Sequence, residues 1–295
     1  MQTWIYFTLL AALMQAIRTA GQKQLSGHLN AMATTGVRYL YALPFAWLYL
    51  YALLEHYQMP LPQLNQAFLQ YASIACVTQI LGTVFLVAAF QYRNFAVATS
   101  LSKTEAIQVA LVGALFFAAP LSLWGWFSVI LGVLGVLILS KIKLSFRELW
   151  NNPGAGLGLA SGLALAITTL LIRQSSLALA TNLLVSAALT LVFMITVQSV
   201  ISLVYLWLQD KTQFPLMLKH WRLCLFVGIT SVLGSIGWFT GASLQNAAYV
   251  KALGQVEFFI TLVLTYRLFK EKIALVEYIG MLLVLASVVI LLLWA

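Results

Sequence analysis

Leu101-Ser102-Lys103-Thr104-Glu105-Ala106-Ile107-Gln108-Val109-Ala110 puts a lysine and a glutamate inside an apolar segment that runs from about Phe95 to Phe117. The pattern returns 152 residues later. Lys251-Ala252-Leu253-Gly254-Gln255-Val256-Glu257-Phe258-Phe259 lies inside the apolar segment from about Ala247 to Phe269. Glu105 and Glu257 each fall near the middle of their segment, which in a membrane helix is near the bilayer midplane. A charge there costs roughly 2.5–3.5 kcal/mol on insertion scales, so an ionisable residue at that depth is by default a candidate for function.

The whole chain supports the membrane reading. Of 295 residues 62% are hydrophobic and 8% charged, with a mean hydropathy of +0.96. Soluble domains carry about 25% charged residues, so lipid and not water must cover this surface. Met1-Gln2-Thr3-Trp4 has no basic residue ahead of the first apolar run, which predicts a retained helix and not a cleaved leader. Cys76 and Cys224 both fall in apolar segments and read as small buried residues. The net charge of +9 points to basic loops on one membrane face, with no nucleic-acid partner.

A spanning helix needs about 20 apolar residues. Ten such segments fit, at about 3–24, 31–54, 67–90, 95–117, 122–140, 154–174, 180–208, 222–243, 247–269 and 274–294. The second half repeats the first. Ile80-Leu81-Gly82-Thr83 matches Val232-Leu233-Gly234-Ser235, Ala16-Ile17-Arg18-Thr19 matches Ala166-Ile167-Thr168-Thr169, and Lys23 matches Arg173. These matches are collinear with Glu105 and Glu257. Residues 1–145 and 150–295 therefore read as two five-helix repeats of one membrane domain. Five is odd, so the second repeat enters the bilayer in the opposite sense. The expected fold is an all-α integral membrane protein of ten transmembrane helices in two inverted repeats, with a binding site near the midplane between them.

The basic residues set the orientation. Lys23, Arg93, Lys141, Lys143, Arg147, Lys211, Lys219, Arg222, Lys270 and Lys272 all fall in joins that open to one face. The excess of positive charge predicts that this face is cytoplasmic and that both termini are outside.

The polar residues inside the spans are the site candidates. Glu105 and Glu257 either face a cavity and bind a proton or a cationic group, or accept hydrogen bonds that hold the repeats together. Lys103, two residues before Glu105, cannot share its helix face and must turn to another helix or to the cavity. Gln15 and Arg18 share one face of the first helix, Gln79 lies on the third and Trp238 on the eighth. Lys251 reads as a residue that snorkels to the membrane edge. Gly158 and Gly162, and Gly237 and Gly241, have the four-residue spacing of close helix contacts. No hydrolase, P-loop or metalloprotease motif occurs. His28, His56 and His220 are far apart in sequence, so neither a catalytic group, a cofactor nor a metal site is expected.

With these features in place, the chain resembles EamA-like members of the drug/metabolite transporter superfamily. The likeness covers nearly the whole length: two five-helix repeats, each with a glutamate in its fourth helix. Family repeats commonly place a Glu-Pro pair there and a Gly-Glu pair at the helix end. Here Ala106 and Phe258 stand in place of the proline. Ala118-Ala119 and Lys270-Glu271 stand in place of the Gly-Glu pair. The resemblance implies transport of small metabolites, often export of amino acids or related compounds, by proton-coupled antiport or facilitated exchange. It implies a multi-pass protein of a bacterial inner membrane, monomeric or homodimeric, whose partners are a small-molecule substrate, the lipid bilayer and protons. A competing reading is a membrane-embedded transferase for a lipid or prenyl substrate, which would want more clustered acids than the two found here.

Overall fold

The computed structural model describes residues 2–89, 101–139, 153–260 and 275–294. Among them every regular element is a helix. In chain order these are α1 (Thr3–Leu25), α2 (Ala31–Leu40), α3 (Leu43–Tyr57), α4 (Gln66–Ala89), α5 (Glu105–Phe116), α6 (Leu123–Leu139), α7 (Pro153–Ala178), α8 (Leu183–Gln209), α9 (Gln213–Lys219), α10 (Trp221–Leu244), α11 (Ala247–Gly254) and α12 (Leu275–Trp294). Arg93, Lys141, Lys143, Arg147, Lys270 and Lys272, on which much of the expected orientation rests, lie outside the described residues, as does Glu271.

Five described stretches are long and apolar enough to cross a membrane: Met32–Tyr57, Gln66–Leu86, Gly154–Ala178, Leu183–Gln209 and Trp221–Leu244. α5, α6 and α12 are shorter apolar helices. Their large side chains are widely exposed, among them Leu115, Phe116, Leu123, Leu282 and Leu293. That suits a lipid-facing surface.

Three expected helices are interrupted. The segment expected at 31–54 is α2 plus α3, parted at Tyr41 and Ala42. Pro44 stands at the start of α3, and its ring and missing N–H bar it from continuing the turn before it. The segment expected at 95–117 turns at Lys103 and Thr104, between the helical residues 101–102 and α5. The segment expected at 247–269 breaks at Gln255, between α11 and the helical residues 256–260. The join expected as a loop at 210–220 contains α9.

The chain forms two compact units. One comprises Met1–Cys76 and Ile172–Leu244, the other Val77–Leu171 and Gln245–Ala295. α4 and α7 each contribute to both.

In the first unit α1 lies against α10 at glycine. A Cβ on Gly237 would stand 2.4 Å from the Phe7 carbonyl oxygen and 2.8 Å from the Ala11 backbone nitrogen. Leu25, Leu29, Ala33, Val37, Leu206, Met217, Cys224 and Val227 form a buried apolar cluster around the C-terminal end of α1. Both cysteines are free and buried. At that end Asp210 ties two joins together. It accepts hydrogen bonds from the Asn30 side chain at 3.1 Å and the Gln213 side chain at 2.8 Å, and from the Thr212 hydroxyl. The rings of His28 and His220 stack with centroids 4.1 Å apart, although 192 positions separate them in the chain.

In the second unit α6 and α12 meet along small residues. Ser128 Oγ donates to the Ser287 carbonyl and Ser287 Oγ donates to the Ser128 carbonyl, each at 2.9 Å. A Cβ on Gly135 would stand 2.9 Å from the Gly280 carbonyl oxygen. Without a hydrophobic drive inside lipid, such close backbone approach and interhelical hydrogen bonds are what hold helices together.

Candidate functional site

Two crossed ion pairs occupy the second unit. Lys251 Nζ lies 2.7 Å from Glu105 Oε1, and Lys103 Nζ lies 3.8 Å from Glu257 Oε1. Each pair takes its acid from one half of the sequence and its base from the other. The four charges sit at the two helix breaks. Lys251 is in the last turn of α11 and Glu105 in the first turn of α5. A cation at a helix C-terminus and an anion at an N-terminus each complement the unpaired backbone groups there. The breaks therefore account for why charges are tolerated in these apolar segments.

Local sequence makes the first break. Thr104 donates its hydroxyl to the Leu101 carbonyl at 2.6 Å, and Gln108 Nε2 donates to Thr104 Oγ1 at 2.9 Å. A threonine satisfying nearby backbone groups in this way competes with the regular helical ladder. Gly162 of α7 lets that turn come close, because a Cβ there would stand 2.9 Å from the Ser102 carbonyl oxygen. At the second break the Gln255 backbone N–H turns back to the Ala252 carbonyl at 3.2 Å. Its side chain is buried against Gly132, where a Cβ would stand 2.1 Å from Gln255 Oε1 and 2.7 Å from Ser287 Oγ. Neither amide atom of Gln255 has a hydrogen-bond partner among the described residues.

The expected site residues fall into separate groups. Glu105, Glu257 and Lys103 come together, and Lys251 joins them. Lys251 does not snorkel: its side chain is only 18% exposed and it bonds Glu105. A carboxylate 146 positions away offers it more than a distant membrane edge does. Gln79, on α4, belongs to the same unit and is half-buried. Gln15, Arg18 and Trp238 belong to the first unit. Trp238 Nε1 donates to Gln15 Oε1 at 2.8 Å across the contact of α1 with α10, and Arg18 is buried on α1.

Sequence reading alone missed two participants here and, in the first unit, a helix cap. Thr169 Oγ1 donates to Glu105 Oε1 at 3.3 Å. Gln255 matches Lys103 at the 152-residue offset, a signal present in the sequence. Arg173 donates to the Ala242 and Ser243 carbonyls at 2.8 and 3.2 Å, capping the end of α10. No group of three or more metal-binding side chains occurs among the described residues.

Apolar spanning helices with ionisable groups at their interruptions define a multi-pass membrane protein. The profile of the EamA-like transporter family matches residues 2–141 and again residues 152–293. The chain belongs to that family, within the drug/metabolite transporter superfamily, and is a membrane transporter of small molecules made of two repeats. A crystal structure of a protein at 12% identity has the same fold, with a TM-score of 0.76 over 100% of this chain and 99% of that one. No curated protein sequence matches it.

Proposed function

We propose that the protein is a secondary transporter, working as an exporter, of a small polar or amphipathic metabolite such as an amino acid or a related amine. It works by alternating access and is coupled to protons. The observation that carries this reading is the exchange of lysine–glutamate partners between the two repeats, at the breaks of two apolar segments. A charge in such a segment is costly unless a partner of opposite sign faces it. When a lysine is drawn away, its glutamate must take either a proton or the ammonium of a solute. Competition between those two for one carboxylate is the chemistry of exchange.

In this reading the ten spans form inverted five-helix repeats, and rocking of one against the other exposes the site to each side in turn. Lys211, Lys219 and Arg222, with Lys23, favour a cytoplasmic face opposite the termini, in a bacterial inner membrane.

The test is counterflow into proteoliposomes with labelled amino acids, amines and nucleosides at two pH values. Uptake of at least one zwitterion or amine that depends on the pH gradient is expected, with Glu105→Gln or Glu257→Gln removing the pH dependence in a folded protein. Full and equally pH-dependent uptake by both variants would refute proton coupling through these residues.

A further inference from the structure

The two ion pairs are not alike. Glu105 Oε1 takes a direct, charge-assisted bond from Lys251 at 2.7 Å and a second from Thr169 Oγ1 at 3.3 Å. That single oxygen fastens α5, α7 and α11. Both charged side chains are well covered, at 18% and 15% exposure. Glu105 also opens α5, where unpaired N–H groups favour a carboxylate.

The other pair is longer, although Glu257 is as well covered as Glu105, at 13% exposure. At 3.8 Å, Lys103 Nζ and Glu257 Oε1 are beyond the range of a hydrogen bond. Lys103 is 35% exposed. Its ammonium also stands 5.1 Å from the Phe258 ring centroid, a weak contact that gives way readily. Hydrocarbon does not solvate an ammonium, and Lys103 lies well inside its apolar segment. The exposed part of the side chain therefore needs water or a polar ligand.

We infer that Lys103–Glu257 is the pair a substrate opens, with Lys103 receiving an anionic group of the solute, while Glu105, Lys251 and Thr169 form a clamp that stays closed. This rests on the transporter reading and divides its labour: Glu257 exchanges partners, and Glu105 holds three helices in register around it. Of the solutes that reading allows, the inference selects those bearing an anionic group, zwitterions included; a simple amine lacks the group that Lys103 receives.

The test uses the full-length protein in detergent and trinitrobenzenesulfonate, a water-soluble reagent for amines, with each lysine followed by mass spectrometry. Exposed Lys211 serves as the internal standard. Lys103 is expected to label about tenfold faster than Lys251, whose ammonium is held in a charge-assisted bond. N-acetylglycine, an anion without an ammonium, should slow the labelling of Lys103, and tetramethylammonium chloride should not.

The clamp is tested by thermal unfolding. Thr169→Val and Glu105→Gln should both lower the melting temperature. If Glu105→Gln does not fold, Thr169→Val carries the comparison alone. Equal labelling of the two lysines, faster labelling of Lys251, protection by the cation in place of the anion, or no protection by either would overturn the assignment. So would a Thr169→Val variant as stable as the parent. These readouts need no transport, so they can fail while counterflow succeeds, and the reverse.

Discussion

Gly237→Ala tests the closest helix approach in the first unit. The added Cβ would stand 2.4 Å from the Phe7 carbonyl oxygen, 2.8 Å from the Ala11 nitrogen and 2.8 Å from Ala11 Cβ. Two of these atoms are backbone, so no side chain can rotate aside. α1 and α10 would have to part by at least about 0.6 Å to bring the nearest contact to 3.0 Å. Alanine in a helix interior gains about 1 kcal/mol over glycine, and overpacking that forces backbone shifts costs about 1–3 kcal/mol. The cost falls toward its upper end here because the obstruction is main chain, leaving a net loss of about 1–2 kcal/mol.

Tryptophan fluorescence during thermal unfolding in detergent reads this, with Trp238 reporting from the same contact through its bond to Gln15. A fall of a few degrees is expected. Gly156→Ala is the control. Nothing lies within 4 Å of its Cβ, so it should leave stability unchanged or raise it by up to about 1 kcal/mol. A Gly237→Ala protein as stable as the parent would refute the close approach of the two helices.

Two further outcomes follow from the helix ends. Ala118 has a φ of 49° after α5, and the Ala119 N–H bonds back to the Gly113 carbonyl at 3.1 Å; Ala118→Gly should therefore raise stability by about 0.5–1 kcal/mol, and a loss in the same unfolding assay would contradict a left-handed cap. The Asp210 carboxyl is held below the usual carboxylate range, chiefly by the Thr212 hydroxyl, with Gln213, the Thr212 backbone N–H and Asn30 adding to it against some desolvation. An acid depressed in the folded state adds stability above its unfolded value of about 3.9 that is lost as pH falls through the folded value. The melting temperature of the parent should accordingly fall more steeply below about pH 4 than that of Asp210→Asn, and parallel profiles would remove Asp210 from the account.

What was legible in the sequence depended on range. Length of apolar run and the positions of polar residues need only local reading, so α1, α7, α8 and α10 begin and end close to where hydropathy puts them. Pro44 stands in the sequence, and its ring and missing N–H fit the interruption at Tyr41 and Ala42, but hydropathy alone runs one helix through 31–54. The breaks at Lys103–Thr104 and Gln255 are harder, because no proline marks them. Thr104 breaks the ladder through its hydroxyl, and Gln255 does so while seated on Gly132. Partner choice was not legible. Lys251 is closer in sequence to Glu257 than to Glu105, yet it bonds Glu105. The snorkelling expectation erred because a one-dimensional reading weighs distance to the membrane edge and cannot see a carboxylate brought in from the other repeat. Thr169 was hidden for the same reason.

The crossing of the ion pairs bears on how such a chain can change over generations. Had each repeat neutralised its own charges, either half could drift by itself, and a charge lost or reversed in one would be mended nearby. Here a lysine in each half answers to a glutamate in the other. A neutral replacement at Glu105 takes the partner from a base encoded 146 codons downstream, and one at Glu257 takes it from a base encoded 154 codons upstream. The two halves are thereby bound to a shared inheritance: neither can be exchanged for a relative's half unless the incoming piece brings both an acid and a base to the same two breaks.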